Sequence, residues 1–187
     1  NAKLTMRLIL LTLATCSVGY TTVLIAFAQA VTPWSASGSL VTDASGAVIG
    51  SLQVAQAFTR PEYFWPRPSA VDYDASATGG SNLSPANAAL TERARRLIAQ
   101  YGVKDRPIPA DLASTSGSGI DPHITLQAAI FQAPRVAASR GMPLIRVQEL
   151  IREETESRAL AAHGGSKLVN VLRLNITLDA ETETADR

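Results

Sequence analysis

The sequence predicts a single N-terminal transmembrane helix followed by one small mixed α+β extracytoplasmic domain. Three observations carry that expectation. No charged residue occurs between Arg7 and Asp43, and Leu8 to Val31 is almost unbroken apolar chain. Downstream, segments marked by caps and prolines repeat apolar residues at spacings of three and four, the pattern of helices packed on one face. Near the C-terminus, Leu172, Leu174, Ile176 and Leu178 alternate with polar neighbours, the period of a half-buried strand.

The apolar run is about 24 residues long, or roughly 36 Å as a helix, against a hydrocarbon core of about 30 Å. Its Leu, Ile, Val and Phe residues outweigh the scattered Thr and Ser on an insertion scale. Lys3 and Arg7 precede it, and the next basic residue is Arg60. The positive-inside rule therefore predicts a short cytoplasmic N-terminus at 1–7, a membrane helix at 8–31 and an outer domain at 32–187. Trp34 suits the outer interface. Ala26-Phe27-Ala28 has the small-x-small form of a signal peptidase site. The apolar run before it exceeds the usual h-region of about 7–15 residues, so a retained anchor is the expectation. Thr12, Thr15, Cys16, Gly19, Thr22 and Ala26 recur at spacings of three and four. On an α-helix they form a small-residue stripe, which lets another membrane helix approach closely.

Composition excludes several classes. The chain has 187 residues, 46% hydrophobic and 18% charged, so it is too apolar for a disordered chain. A net charge of +1 with no basic block argues against a nucleic-acid binder. One cysteine rules out an intrachain disulfide framework, and two distant histidines make a poor metal set.

The outer domain reads in order as follows. Gly38 to Val41 and Ala47 to Gly50 flank a turn at Asp43 to Gly46, which predicts a hairpin. A loop rich in Pro, Gly, Ser and aromatics runs from Arg60 to Asn87. Ser84-Pro85 caps a first helix with Ala89, Leu90, Ala94, Leu97, Ile98 and Tyr101 on one side, ended by Gly102. Thr125 caps a second, carrying Leu126, Ala129 and Ile130, which Pro134 interrupts; a new turn then runs to Gly141. Pro143 opens a third with Leu144, Val147, Leu150 and Ile151 inward. The alternating strand follows, and an acidic tail from about residue 180 is expected to fray.

Several stretches invite chemistry. Gly79, Gly80, Ser81 and Asn82, and separately Gly117, Ser118 and Gly119, have the composition of backbone anion nests. Neither loop carries the lysine of a P-loop. Their ordinary reading is tight turns. Ser118, Asp121 and His123 are the residue types of a hydrolytic triad, but Ser116 stands where a nucleophile elbow needs glycine. Asp121 and His123 straddle Pro122 and should point apart in an extended chain. His163-Gly164-Gly165 has the look of an oxyanion loop, with a solvated histidine as its plainer reading. Tyr63, Phe64 and Trp65 with Arg67 cluster between prolines, the composition of an interaction hot spot.

These motifs, taken in order, resemble one family. Tyr63-Phe64-Trp65-Pro66-Arg67-Pro68-Ser69-Ala70, Gly79-Gly80-Ser81-Asn82-Leu83 and Ser116-Gly117-Ser118-Gly119-Ile120-Asp121-Pro122-His123-Ile124 look like the C subunit of the bacterial Kdp potassium-transporting ATPase. Gln127-Ala128-Ala129, Gln132, Pro134-Arg135-Val136-Ala137, Arg140-Gly141, Val169-Asn170-Val171-Leu172, Leu174-Asn175 and Leu178-Asp179 continue the likeness over nearly the whole chain. Pro66 stands where that family usually has glycine, and Thr21 follows Tyr20 where proline is common.

The resemblance implies a non-catalytic accessory subunit in the cell inner membrane. Its partners would be a channel-like potassium-translocating subunit and a P-type ATPase subunit that binds and hydrolyses ATP with Mg. The family's C subunit is described as a catalytic chaperone that raises the ATP affinity of the ATPase subunit. No cofactor of its own is expected, and no nucleic acid. With its loops outside the membrane, assembly and capping of the potassium entrance is the preferred role, any effect on ATP passing through the membrane helices. The alternative is a membrane-anchored extracytoplasmic enzyme or ligand-binding module.

Overall fold

The structure, a computed structural model, describes residues 1–103, 106–159 and 167–185. The chain divides into two compact units, Asn1–Ile49 and Gly50–Arg187.

The first unit is dominated by a strongly apolar helix from Ala2 to Val31, which buries none of its most apolar stretch. It consists of α1 (Ala2–Thr12), a π-helical stretch (Leu13–Gly19) and α2 (Tyr20–Val31). It is the one helix among the described residues long and apolar enough to cross a membrane. The short α3 (Pro33–Ala36) follows, with proline at its first position. β1 (Leu40–Thr42) and β2 (Val48–Ser51) form the expected hairpin. Asp43 Oδ1 organises its turn, accepting from Ser45 N at 2.8 Å, Ser45 Oγ at 2.6 Å and Ala47 N at 3.0 Å.

In the second unit, α4 (Ala88–Tyr101) starts three residues later than Ser84-Pro85 suggested. Asn87 is the cap, its side chain accepting from Ala89 N, and left-handed Gly102 ends the helix as expected. The short α5 (Ala110–Ala113) contributes buried Leu112. β3 (His123–Thr125) pairs antiparallel with β4 (Leu168–Asn170), Ile124 opposite Val169. α6 (Leu126–Arg140) and α7 (Leu144–Ala159) form a hairpin across left-handed Gly141. α8 (Val171–Ala185) packs on α7. The core runs through Phe64, Ile124, Ala129, Val136, Val147, Ile151, Val169, Leu174 and Leu178, all fully buried.

Four expectations are corrected. The strand expected over Leu172 to Leu178 is the first half of α8. Its buried residues Val171, Leu172, Leu174, Asn175 and Leu178 recur at three and four, and Ile176 is only partly buried, so helical burial outranks the alternation. The tail beyond Asp179 does not fray at 180, because α8 continues to Ala185. Asp179 and Thr182 bind Arg140, and Glu181 binds Arg146. Pro134 does not break α6. It lies exposed, as does Ile130 one turn earlier, so the carbonyl it strips of a partner faces the open side of the helix. Leu144, expected inward, is 41% exposed; on α6, Ile130 is 43% exposed while Ala128, Ala129 and Ala133 fill the interface.

Candidate interaction surface: the clamped aromatic segment

Residues 60–68 form neither helix nor strand, yet Phe64 lies wholly within the core. Buried backbone without secondary structure needs hydrogen-bond partners from elsewhere. Two amide side chains supply them to consecutive residues. Asn175 on α8 accepts from Phe64 N at 2.8 Å and donates to Phe64 O at 3.1 Å. Gln132 on α6 accepts from Trp65 N at 2.9 Å and donates to Trp65 O at 3.1 Å. Both amides are 1% exposed.

Two arginines of α6 complete the clamp. Arg135 donates to the carbonyls of Pro61 and Tyr63 and to Gln132 Oε1, and its guanidinium lies 3.8 Å over the Trp65 ring. Burial pulls its pKa down to about 10, against the pull of Tyr101. Arg140 donates to Glu62 O at 2.7 Å and to Asp179 Oδ1 at 2.7 Å, and sits 5.0 Å over the Tyr63 ring. Tyr63 Oη donates to Asp179 Oδ2 at 3.1 Å and accepts from Arg60 at 2.9 Å.

Among the residues expected to meet a partner, Phe64 is therefore withdrawn: it is 0% exposed and closes the core. Tyr63, Trp65 and Arg67 remain partly exposed. Gln132, Arg135, Arg140, Asn175 and Asp179 stand in the motifs that carried the family likeness, but nothing in their spacing revealed a shared task. That task is long-range, joining residues up to 116 positions apart.

The two glycine loops are brought together. Gly79 N donates to Ser118 O at 2.8 Å, and a Cβ on Gly80 would stand 3.1 Å from Gly117 O. Gly119 has φ 73, and a Cβ there would meet Val71 Cγ2 at 2.5 Å and Gly79 O at 2.8 Å. Only glycine fits that approach. Gly119 N donates to buried Ser116 Oγ at 2.8 Å, and Ser116 N to Pro68 O at 3.0 Å. The loops thus form a clasp that ties the aromatic segment to the start of β3. Ser81 is partly exposed and Asn82 exposed, the latter with φ 50.

The expectation that Asp121 and His123 point apart is also corrected. Asp121 Oδ1 accepts from His123 N at 3.0 Å and lies 3.4 Å from His123 Nδ1, while Oδ2 accepts from Arg67 at 3.1 Å. The short turn across Pro122 brings both side chains to one side. Ser118 Oγ, however, accepts from Ile120 N at 3.2 Å, so it caps its own turn. His163-Gly164-Gly165 lies outside the described residues. Among the described residues no group of three or more His, Cys, Asp or Glu is placed to hold a metal.

In the long helix, Thr12, Thr15, Cys16, Gly19 and Thr22 are all exposed. Thr15, Cys16 and Gly19 lie in the π-helical stretch, where bonding runs from i to i+5. The wider winding shifts these residues off the straight stripe that α geometry predicts.

Fold and site describe one class of molecule: a small α+β domain, with a cross-braced aromatic segment, on a chain led by one membrane-length helix. Comparison with known proteins narrows the class to a family. The family model described as KdpC, K+-transporting ATPase, c chain, matches residues 2–180. The KdpC subunit of the potassium-transporting ATPase of Parvibaculum lavamentivorans is 49% identical over 180 residues, covering 96% of this chain and 95% of that one. The corresponding subunit of Geobacter sulfurreducens is 46% identical over 88% of this chain and 89% of its own. That of Pseudomonas aeruginosa is 46% identical, with 91% of each chain covered. The chain belongs to the KdpC family.

Proposed function

We propose that this chain is a non-catalytic accessory subunit of a potassium-transporting ATPase, anchored in the cell inner membrane by its N-terminal helix. The observation that carries the reading is the family match over residues 2–180, which takes in the long helix as well as the domain. Lys3 and Arg7 ahead of that helix support a cytoplasmic N-terminus and an extracytoplasmic domain. The domain's partners are the channel-like potassium-translocating subunit and the P-type ATPase subunit, which hydrolyses ATP. Its role is assembly and capping of the potassium entrance. The rise in ATP affinity described for the family then reaches the ATPase subunit through the membrane helices. Direct ATP contact at the glycine loops is disfavoured, because the amides of Gly79, Gly119 and Ile120 already donate to acceptors within the protein.

Affinity purification of the tagged full chain from mildly detergent-extracted membranes tests this. Both partner subunits and potassium-stimulated ATPase activity should be recovered with it. A chain that elutes alone from membranes containing both subunits would overturn the assignment.

A further inference from the structure

Beside the aromatic segment lies a cavity of about 210 Å³ that the clamps do not explain. Phe58, Trp65, Tyr73, Leu97, Gln100 and Tyr101 are among its lining residues. Four of the chain's ten aromatic residues thus converge on one opening. Small-molecule sites usually hold about 300–1,000 Å³, so this one suits a single large side chain and is tight for a cofactor.

The lining is held in place. Tyr73 and its neighbour Asp72 both have positive φ, 60 and 52, which bulky residues seldom adopt. Ser69 Oγ accepts from Tyr73 N at 2.9 Å, and Tyr73 Oη donates to Arg67 O at 3.0 Å, which fixes the ring. Tyr101 meets Trp65 at 5.3 Å and Phe131 edge-on at 5.6 Å between ring centres. On the α4 side the wall is thin. That helix buries none of its residues, and Ile98 is 41% exposed.

The surroundings are cationic. Arg93 and Arg96 lie one helical turn before Leu97 and Gln100 on α4. Arg135 covers Trp65, and Arg106 lies 4.2 Å over the Phe131 ring. None of these four arginines has a carboxylate within ion-pair distance among the described residues, whereas Arg67 and Arg95 do. Arg93 Nη2 and Arg135 Nε are buried without a hydrogen-bond partner. Of the carboxylates that act on the lining tyrosines, Asp72 stands beside Tyr73, and Asp111 already accepts from Thr125 N.

We propose that this cavity docks an acidic segment of a partner subunit, which inserts one aromatic side chain beside Trp65, Tyr73 and Tyr101 and lays its carboxylates on exposed Arg96, one turn before Gln100. An aromatic anchor in a rigid pocket, with arginine on the adjoining turn of helix, is the usual composition of an interface hot spot. Positive charge on that adjoining turn selects an acidic neighbour and rejects a basic one. The inference rests on the reading that this domain assembles with partner subunits.

The test uses the intact complex. A photo-crosslinking benzoylphenylalanine replaces Gln100, an exposed residue at the cavity mouth, and the cross-linked partner peptide is sequenced by mass spectrometry. A partner segment with an aromatic residue close to Asp or Glu is expected. Separately, Gln100→Glu should cut recovery of the partner subunits about tenfold through like-charge repulsion, whereas Gln100→Lys should leave it unchanged or improve it. An intact complex with no Gln100 cross-link would overturn the docking site, as would a cross-link to lipid, to a second copy or to a basic segment. So would equal behaviour of the two charge variants. In each case the accessory-subunit reading stands. Failure of the unsubstituted chain to associate with either subunit overturns both.

Discussion

Asn175 holds Phe64 by both ends of its amide, accepting from the Phe64 N–H at 2.8 Å and donating to the Phe64 carbonyl at 3.1 Å. The pair lies 111 residues apart in sequence, and both residues are buried. Gln132 repeats the arrangement one residue along, on Trp65. Two helix side chains therefore do for residues 64–65 what a neighbouring strand would do in a sheet. The segment needs no strand partner to reach the core.

Asn175→Leu is expected to destabilise the protein by about 3 kcal/mol. It leaves the Phe64 amide and carbonyl unpaired in the core, each at about 1–3 kcal/mol. Gln132→Leu should cost a similar amount through Trp65. The double variant should cost less than the sum, because one detached segment cannot be released twice. Urea unfolding of the detergent-solubilised full chain, followed by tryptophan fluorescence, reads all three. Losses below about 1 kcal/mol would mean that water replaces the clamps without penalty.

The helices were legible where local chemistry decides. Gly102, Thr125 and Gly141 mark helix ends in the sequence and hold those places in the structure. The apolar run at the N-terminus read directly as a membrane-length helix. What misled was alternation. Leu172, Leu174, Ile176 and Leu178 fit a strand, but Asn175 breaks the rule that polar residues face out, since its amide is spent on Phe64. A buried polar residue with a distant partner is invisible to periodicity. The clamp residues on α6 were missed for the same reason. The two glycine loops looked like separate turns, and only packing showed that they close on each other.

Gly119→Ala is expected to lower stability by more than about 2 kcal/mol, combining a left-handed backbone with a clash that cannot relax. Its new Cβ would stand 2.8 Å from Gly79 O, a backbone atom. Gly117→Ala has nothing within 4 Å and an exposed site, and should be neutral within about 0.5 kcal/mol. Thermal unfolding of both variants separates a structural clasp from a ligand loop. If Gly117→Ala, with its stability intact, abolished a measurable affinity for Mg-ATP in the full chain, the loop would be a nucleotide site.

Gly19 closes the π-helical stretch, and a Cβ there would meet only Ala14 O, at an ordinary 3.5 Å. Gly19→Leu should therefore leave the helix itself intact. Any loss of complex then reports crowding against a neighbouring membrane helix. Recovery of partner subunits in a pull-down should fall several-fold for Gly19→Leu and little for Leu24→Ala. Equal recovery from the two would remove the small residues from the contact.

Asp121 links pH to stability. Burial raises its pKa, but hydrogen bonds from the His123 side chain and backbone and from Arg67, together with the Arg67 charge, outweigh it and hold the carboxyl below its ordinary value of 3.8. The folded pKa is thus depressed relative to the unfolded chain. The stabilisation is present in full above the ordinary carboxylate range and is lost as pH falls through the folded value. Asp121→Asn should be less stable at pH 7 by about 1 kcal/mol, the scale of a partly exposed pair. The gap should begin to narrow as pH falls through the ordinary carboxylate range of about 4 and close only below the depressed folded value, where the wild-type carboxyl is protonated while the amide never titrates. Unfolding midpoints of the two full-length proteins from pH 7 to pH 2 give the test. Curves that run parallel to the acid end would show that the Arg67–Asp121–His123 contact contributes nothing to the acid limb.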